Sequence, residues 1–274
     1  MQVKKGLCTV EEKIFWFGVA ALVCIVVPFV ALALLGLKKR LRMDAFLIGA
    51  AGFFLCQIVL RIPLLSLLQS SVRFSVWANR YPMLYILLVG GLSAGLFEET
   101  ARLIGGKLLR RLPDGLDVVN YGLGHGLCEM LVLVGFGHLN NMMACWVIAN
   151  PEQAASVGVD AATLQLMTQQ MNAVTPGLIA WGLLERVSAL GFHLAATGLV
   201  FWGLRKGSAL FYLAAVAAHT LFNTVAAILA QTNIALCELV LLAASCCMLW
   251  QLMRHRNSFE GSTEFAQKST FHKV

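Results

Sequence analysis

Residues 13–36 read KIFWFGVAALVCIVVPFVALALLG, and after Lys13 no charged side chain interrupts them. A helix of this stretch is about 36 Å long, enough to cross a hydrocarbon core of about 30 Å. In lipid a backbone must satisfy its own polar groups, so such a stretch crosses as a helix. Six further apolar stretches follow, at roughly 44–68, 82–104, 118–138, 178–204, 208–231 and 234–252. The fold expected is all-α, a polytopic transmembrane helical bundle of about seven spans. One membrane-embedded domain is expected over 1–253, with a polar cytoplasmic tail at 254–274. Arg61 and Pro63 interrupt the second span, where Pro63 is expected to kink the helix.

Composition agrees. Of the 274 residues, 59% are hydrophobic and 13% charged, against about 25% charged in soluble domains. The net charge of +7 would suit a nucleic-acid partner. The basic residues, however, sit in short loops between spans, where topology accounts for them, so no nucleic-acid partner is expected. The eight cysteines are scattered, form no CxxC pair and lie mostly within spans. They read as small apolar residues rather than a disulfide framework. The first apolar run is too long for a cleavable leader.

Counting basic residues orients the chain. Thirteen follow spans 1, 3, 5 and 7, from Lys38 to Lys273, and five (Lys4, Lys5, Lys13, Arg73, Arg80) fall on the opposite side. Positive-inside then predicts an N-out, C-in protein, multi-pass in the plasma membrane with the lipid bilayer as its medium. The long outer loop, about 139–177, carries no basic residue. Within it Asp160, followed by Ala161, Leu164, Met167 and Met171, predicts a short capped amphipathic helix. An interfacial surface helix is the simpler reading there than a lid.

Ionisable groups inside a membrane are costly and point to function. Span 3 carries Glu98-Glu99-Thr100-Ala101-Arg102, and span 4 carries His125 and Glu129. Span 5 carries Glu185, Arg186 and His193, and span 6 carries His219 and Asn223. His125/Glu129, His219/Asn223 and Glu98/Arg102 are each i,i+4 and share a helix face. Measured from the inner ends of the spans, the two glutamates lie about 8–9 Å deep and His125 about 10 Å. Glu129, His193 and His219 lie about 16 Å deep, and Asn223 about 22 Å. A lone buried histidine is more often a hydrogen-bonding residue between helices. A Glu–Arg pair is more often structural, and Gly91/Gly95 and Gly122/Gly124/Gly126 read as packing surfaces. Four spans placing polar groups in one slab is what argues for a site.

The chemistry is compatible with zinc, which at catalytic sites takes three N or O ligands plus water. His125, Glu129, His193 and His219 are candidate ligands. Glu98 or Glu99 is the candidate general base and Asn223 a donor to an oxyanion. Arg102, Glu185 and Arg186 are candidate supports. No HExxH motif is present, and the same residues suit metal-free hydrolysis by a glutamate and a histidine.

At these residues the chain resembles the YhfC family of intramembrane metalloproteases. More distantly it resembles the CAAX-protease and bacteriocin-processing superfamily with its PrsW relatives. The motifs that carry the resemblance are Glu98-Glu99-Thr100-Ala101-Arg102, Gly124-His125-Gly126-Leu127-Cys128-Glu129 and His219-Thr220-Leu221-Phe222-Asn223, with Glu185-Arg186…His193 matching the YhfC-like branch. It covers roughly 82–225. Arg102 stands three residues after Glu99, and Tyr121 stands four before His125. Both depart from the CAAX pattern and point away from prenylated substrates. The resemblance implies peptide-bond hydrolysis on a membrane protein or peptide substrate.

Rival classes are a proton-coupled transporter, a haem-binding membrane cytochrome, and a non-catalytic sensor or immunity protein that keeps the fold. Against the transporter, the sequence shows no inverted repeat. A Soret band would mark the cytochrome. A scaffold would tolerate loss of Glu99, whereas an enzyme would lose activity.

Overall fold

The computed structural model describes residues 9–255 and residue 259. Among them every regular element is helical. Seven helices are long and apolar enough to span a bilayer: α1 (Val10–Leu37), α2 (Met43–Gln69), α3 (Pro82–Leu108), α4 (Gly115–Ala149), α5 (Pro176–Lys206), α6 (Leu210–Leu229) and α7 (Ile234–Arg254). They coincide with the seven expected spans. The largest difference is at α4, which continues to Ala149 and takes up the first part of the expected outer loop. Of the tail expected from residue 254, all but Arg254, His255 and Phe259 lies outside the described residues. The outer side of α1 exposes Phe15, Leu22 and Phe29, each about 60% accessible. These stand at i, i+7 and i+14, one stripe of a helix whose solvent is lipid.

Residues group into two compact units. One contains 1–33 and 130–186, the other 34–129 and 187–274. In the first, Phe17, Ala20, Cys145 and Ile179 form an apolar core. Lys13, only 3% exposed, donates from Nζ to the Met171 carbonyl at 2.8 Å. The expected amphipathic helix is present at Ala161–Asn172, and its cap residue Asp160 accepts from the Thr163 N–H at 2.7 Å. That hydrogen bond holds the exposed Asp160 carboxyl below its usual range.

The second unit is built on close backbone approach. A Cβ on Gly124 would lie 2.1 Å from the Phe46 carbonyl oxygen, and one on Gly49 would lie 2.2 Å from that of Tyr121. Glycine is what lets α2 and α4 meet there. Gly91 and Gly95 do the same for α3 on α6, against the carbonyls of Thr220 and Val216. Tyr121, Val200, Phe201 and Ala215 fill the centre of this unit's apolar core.

Three helices contain a wide π-helical stretch: Phe54–Arg61 in α2, Ile86–Leu92 in α3 and Met130–Gly135 in α4. Pro63 follows the first. At the place where the sequence predicts a kink, the helix changes register over Phe54–Arg61, just before the proline.

Candidate metal centre

The Glu-Glu-x-x-Arg segment of α3 turns three charged groups inward. Glu99, Arg102 and His125 are fully buried, and Glu98, His193 and His219 are at most 4% exposed. Glu98 Oε2 lies 2.9 Å from His125 Nε2 on α4 and 3.9 Å from His193 Nδ1 on α5. Its Oε1 lies 3.7 Å from His219 Nε2 on α6 and accepts from Gln57 Nε2 on α2. Five helices of one unit thus converge on one carboxylate. One donor atom from each of Glu98, His125 and His193 falls within 4.8 Å of the other two. Ring centroids are 5.0 Å apart for His125 and His193, and 6.1 Å for His193 and His219. The three imidazoles thus lie side by side. Phe53 packs edge-on to His125 and Phe192 edge-on to His219, so the walls are apolar.

Hydrogen-bond chemistry fixes the roles of the ring nitrogens. Arg102 Nη2 lies 2.5 Å from His193 Nδ1. An arginine N–H only donates, so Nδ1 accepts and the ring proton sits on Nε2. That proton goes to Glu129 Oε2, 2.5 Å away. His219 Nδ1 donates to Glu99 Oε1 at 2.6 Å, and its Nε2 faces Glu98 Oε1 at 3.7 Å. Three imidazole rings thus surround the Glu98 carboxylate, and the donor set of one carboxylate and two or three imidazoles is that of catalytic zinc. His125 Nδ1 and Glu99 Oε2 are buried without a hydrogen bond. Such groups cost about 1–3 kcal/mol each. For His193 to ligate, its contact with Arg102 must be exchanged.

Several sequence expectations change. Glu129, expected as a ligand, stands behind His193 and holds that ring's far nitrogen. The i,i+4 pair of Arg102 with Glu98 is present at 3.7 Å, and Glu99 at i,i+3 lies closer still. The reason is local: both spacings lie on one helix face, and Glu98 is drawn away by Gln57 and His125. Asn223 is half-buried, one turn from His219, without a hydrogen bond to the cluster. Glu185 and Arg186 pair with each other at 2.5 Å and belong to the other unit. The cluster is enclosed. A groove of about 530 Å³ does run between α2 and α3, lined by Gly52, Cys56, Phe97 and Thr100 among others, but the clustered glutamates and histidines do not line it.

Gln57 escaped the sequence reading. Its signal was the i,i+4 pair with Arg61, two polar residues on one face of an apolar stretch, which had been read only as a weak span.

A curated relative from Bacillus subtilis (strain 168), described as the uncharacterized membrane protein YhfC, is 25% identical over 228 residues, 82% of this chain and 87% of that protein. No solved structure matches the chain. The model of a family described as YhfC intramembrane metalloprotease matches residues 23–243. That match takes in every helix contributing to the buried glutamate–histidine cluster, and this multi-pass membrane protein belongs to the YhfC intramembrane metalloprotease family.

Proposed function

We propose that the chain is an intramembrane peptidase, hydrolysing a peptide bond of a membrane protein or membrane-embedded peptide from the cytoplasmic side. The observation that carries this reading is the set of donor atoms of Glu98, His125 and His193, from three helices, within 4.8 Å of one another. These three would hold a divalent cation, zinc by donor type, with His219 beside them as a further ligand. Such an ion lowers the pKa of water and polarises a carbonyl oxygen.

The remaining residues have separable tasks. Glu99 Oε2, buried and without a partner, is the acceptor for a proton from the attacking water. As the water oxygen adds to the scissile carbonyl carbon, Glu99 takes its proton. The same proton passes to the amine as the C–N bond breaks. Arg102 and His219, both on Glu99 Oε1, keep that carboxylate aimed. Asn223 supplies an N–H to the oxyanion. An enclosed site keeps water from idle reaction, and substrate access requires the helices to part.

Metal analysis of detergent-purified protein, beside cleavage of a membrane-peptide substrate, tests this. About one zinc per chain is expected in the wild type, and loss of it in His125→Ala and Glu98→Gln. Glu99→Gln is expected to keep the metal and lose cleavage. One observation favours a second reading, the Arg102 contact on His193 Nδ1. A wild type that cleaves without metal establishes metal-free glutamate–histidine hydrolysis instead. A Glu99→Gln variant that keeps full cellular phenotype makes the chain a non-catalytic sensor.

A further inference from the structure

Gln57 lies on the π-helical stretch of α2 and is 4% exposed. Its amide is clamped from both ends. Arg61 Nη1 donates to Gln57 Oε1 at 3.0 Å. Because Arg61 only donates, the amide oxygen must face it, and the NH₂ must face Glu98 Oε1. Arg61 is itself anchored: Nε donates to Ser93 Oγ at 2.9 Å and Nη2 to the Val89 carbonyl at 2.8 Å. Val89 sits in the π-helical stretch of α3. There the i→i+5 bonding puts the hydrogen-bond ladder out of step and leaves carbonyl lone pairs to a side chain. Two register changes on neighbouring helices therefore build one directed chain, Arg61 to Gln57 to Glu98.

We propose that Gln57, oriented by Arg61, is a positioning residue that holds Glu98 with Oε2 turned toward His125 and His193, as a metal ligand. The inference rests on the metal reading above. The amide N–H donates to Oε1 and so fixes which of the two oxygens faces α2. With Oε1 engaged, the carboxylate cannot rotate, and Oε2 is the atom left for the histidine side. Outer partners of this kind are commonly worth 10–100-fold in metal affinity.

The test uses the full-length purified protein and Co²⁺ as probe. Affinity is read by competition with a chelator, geometry by the visible absorption of the bound ion, and folding by thermal denaturation in detergent. Gln57→Met keeps size but removes the donor, and it also strands Arg61, so the double variant Gln57→Met/Arg61→Met is made beside it. Both are expected to bind Co²⁺ 10–100-fold more weakly with an altered spectrum, while the double variant melts near the wild type. A double variant with wild-type affinity and spectrum overturns the positioning role and leaves the metal reading standing. A wild type that takes up no Co²⁺ overturns both.

Discussion

Arg102 carries the positive charge that lets Glu98 and Glu99 stand side by side away from water. It is fully buried, touches Glu99 and His193, and lies 3.7 Å from Glu98. Removing one partner of a buried ionic group costs about 3–5 kcal/mol because the remaining charge is uncompensated. Arg102→Ala is therefore expected to lower accumulation and detergent melting temperature by that order. Unchanged stability would mean the carboxylates do not rely on it. Arg102→Lys is expected to recover only part of the loss, since an ammonium has no planar fork to reach Glu99 and His193 together. The sequence made these residues visible for one physical reason, the cost of charge in lipid. It could not divide the two glutamates between ligand and base. Spacings of three and four residues both reach Arg102, and the choice is made by Gln57 and His219 arriving from other helices. The role of Glu129 was hidden for the same reason: sharing a face with His125 says nothing of which neighbour's ring lies beyond it.

At the scale of the helix, α4 depends on the absence of side chains. A Cβ on Gly124 would press on the Phe46 carbonyl, a backbone atom that cannot swing aside. Gly137, on the same helix, has nothing within 4 Å of its would-be Cβ. Gly124→Ala is expected to cost at least about 1–3 kcal/mol by overpacking and to disturb His125, one residue on. Gly137→Ala is expected to be neutral or slightly stabilising. Melting curves of the two single variants check the contrast, and equal effects would mean α2 and α4 stand further apart than described. The Asp160 cap gives a gentler case. Its carboxyl is held below the usual range by the Thr163 N–H. Its contribution is thus complete above the ordinary carboxylate range and fades as pH falls through the lowered value. Hydrogen exchange over 161–172 is expected to quicken in Asp160→Asn only where the charge, rather than the side-chain oxygen, holds the turn. In Asp160→Ala it is expected to quicken at any pH above that range. Span existence, glycine contacts and this cap were legible because each follows from local chemistry: length and apolarity, small residues, an acceptor before a helix. The π-helical stretches were not, since they are stabilised by bonds such as Arg61 to Val89 that cross between helices.

At the scale of the molecule, the ends of the helices carry an argument about orientation. Arg42, before α2, bonds Asp114 at 2.7 Å and Asp117 at 2.9 Å. Arg111, after α3, bonds Asp117 and Asp44, each at 2.6 Å. The α1–α2 and α3–α4 connections therefore share one end of their unit, and these are two of the loops richest in basic residues. In the other unit Lys13 is tied to Met171, so the start of α1 and the segment after Ala149 share an end, and that segment has no basic residue before Arg186. With seven crossings the two termini would fall on opposite sides, and the positive-inside rule predicts the basic loops on the cytoplasmic side. A reporter fused after Val274 is expected to read as cytoplasmic, and one inserted after Gly158 as extracytoplasmic. The opposite pair of results would invert the molecule, and with it the face from which the proposed substrate would reach Glu98 and Glu99. A matching pair, both in or both out, would mean that one of α5, α6 and α7 does not cross. The count of spans would then fail while the buried cluster, held by contacts within one unit, would stand.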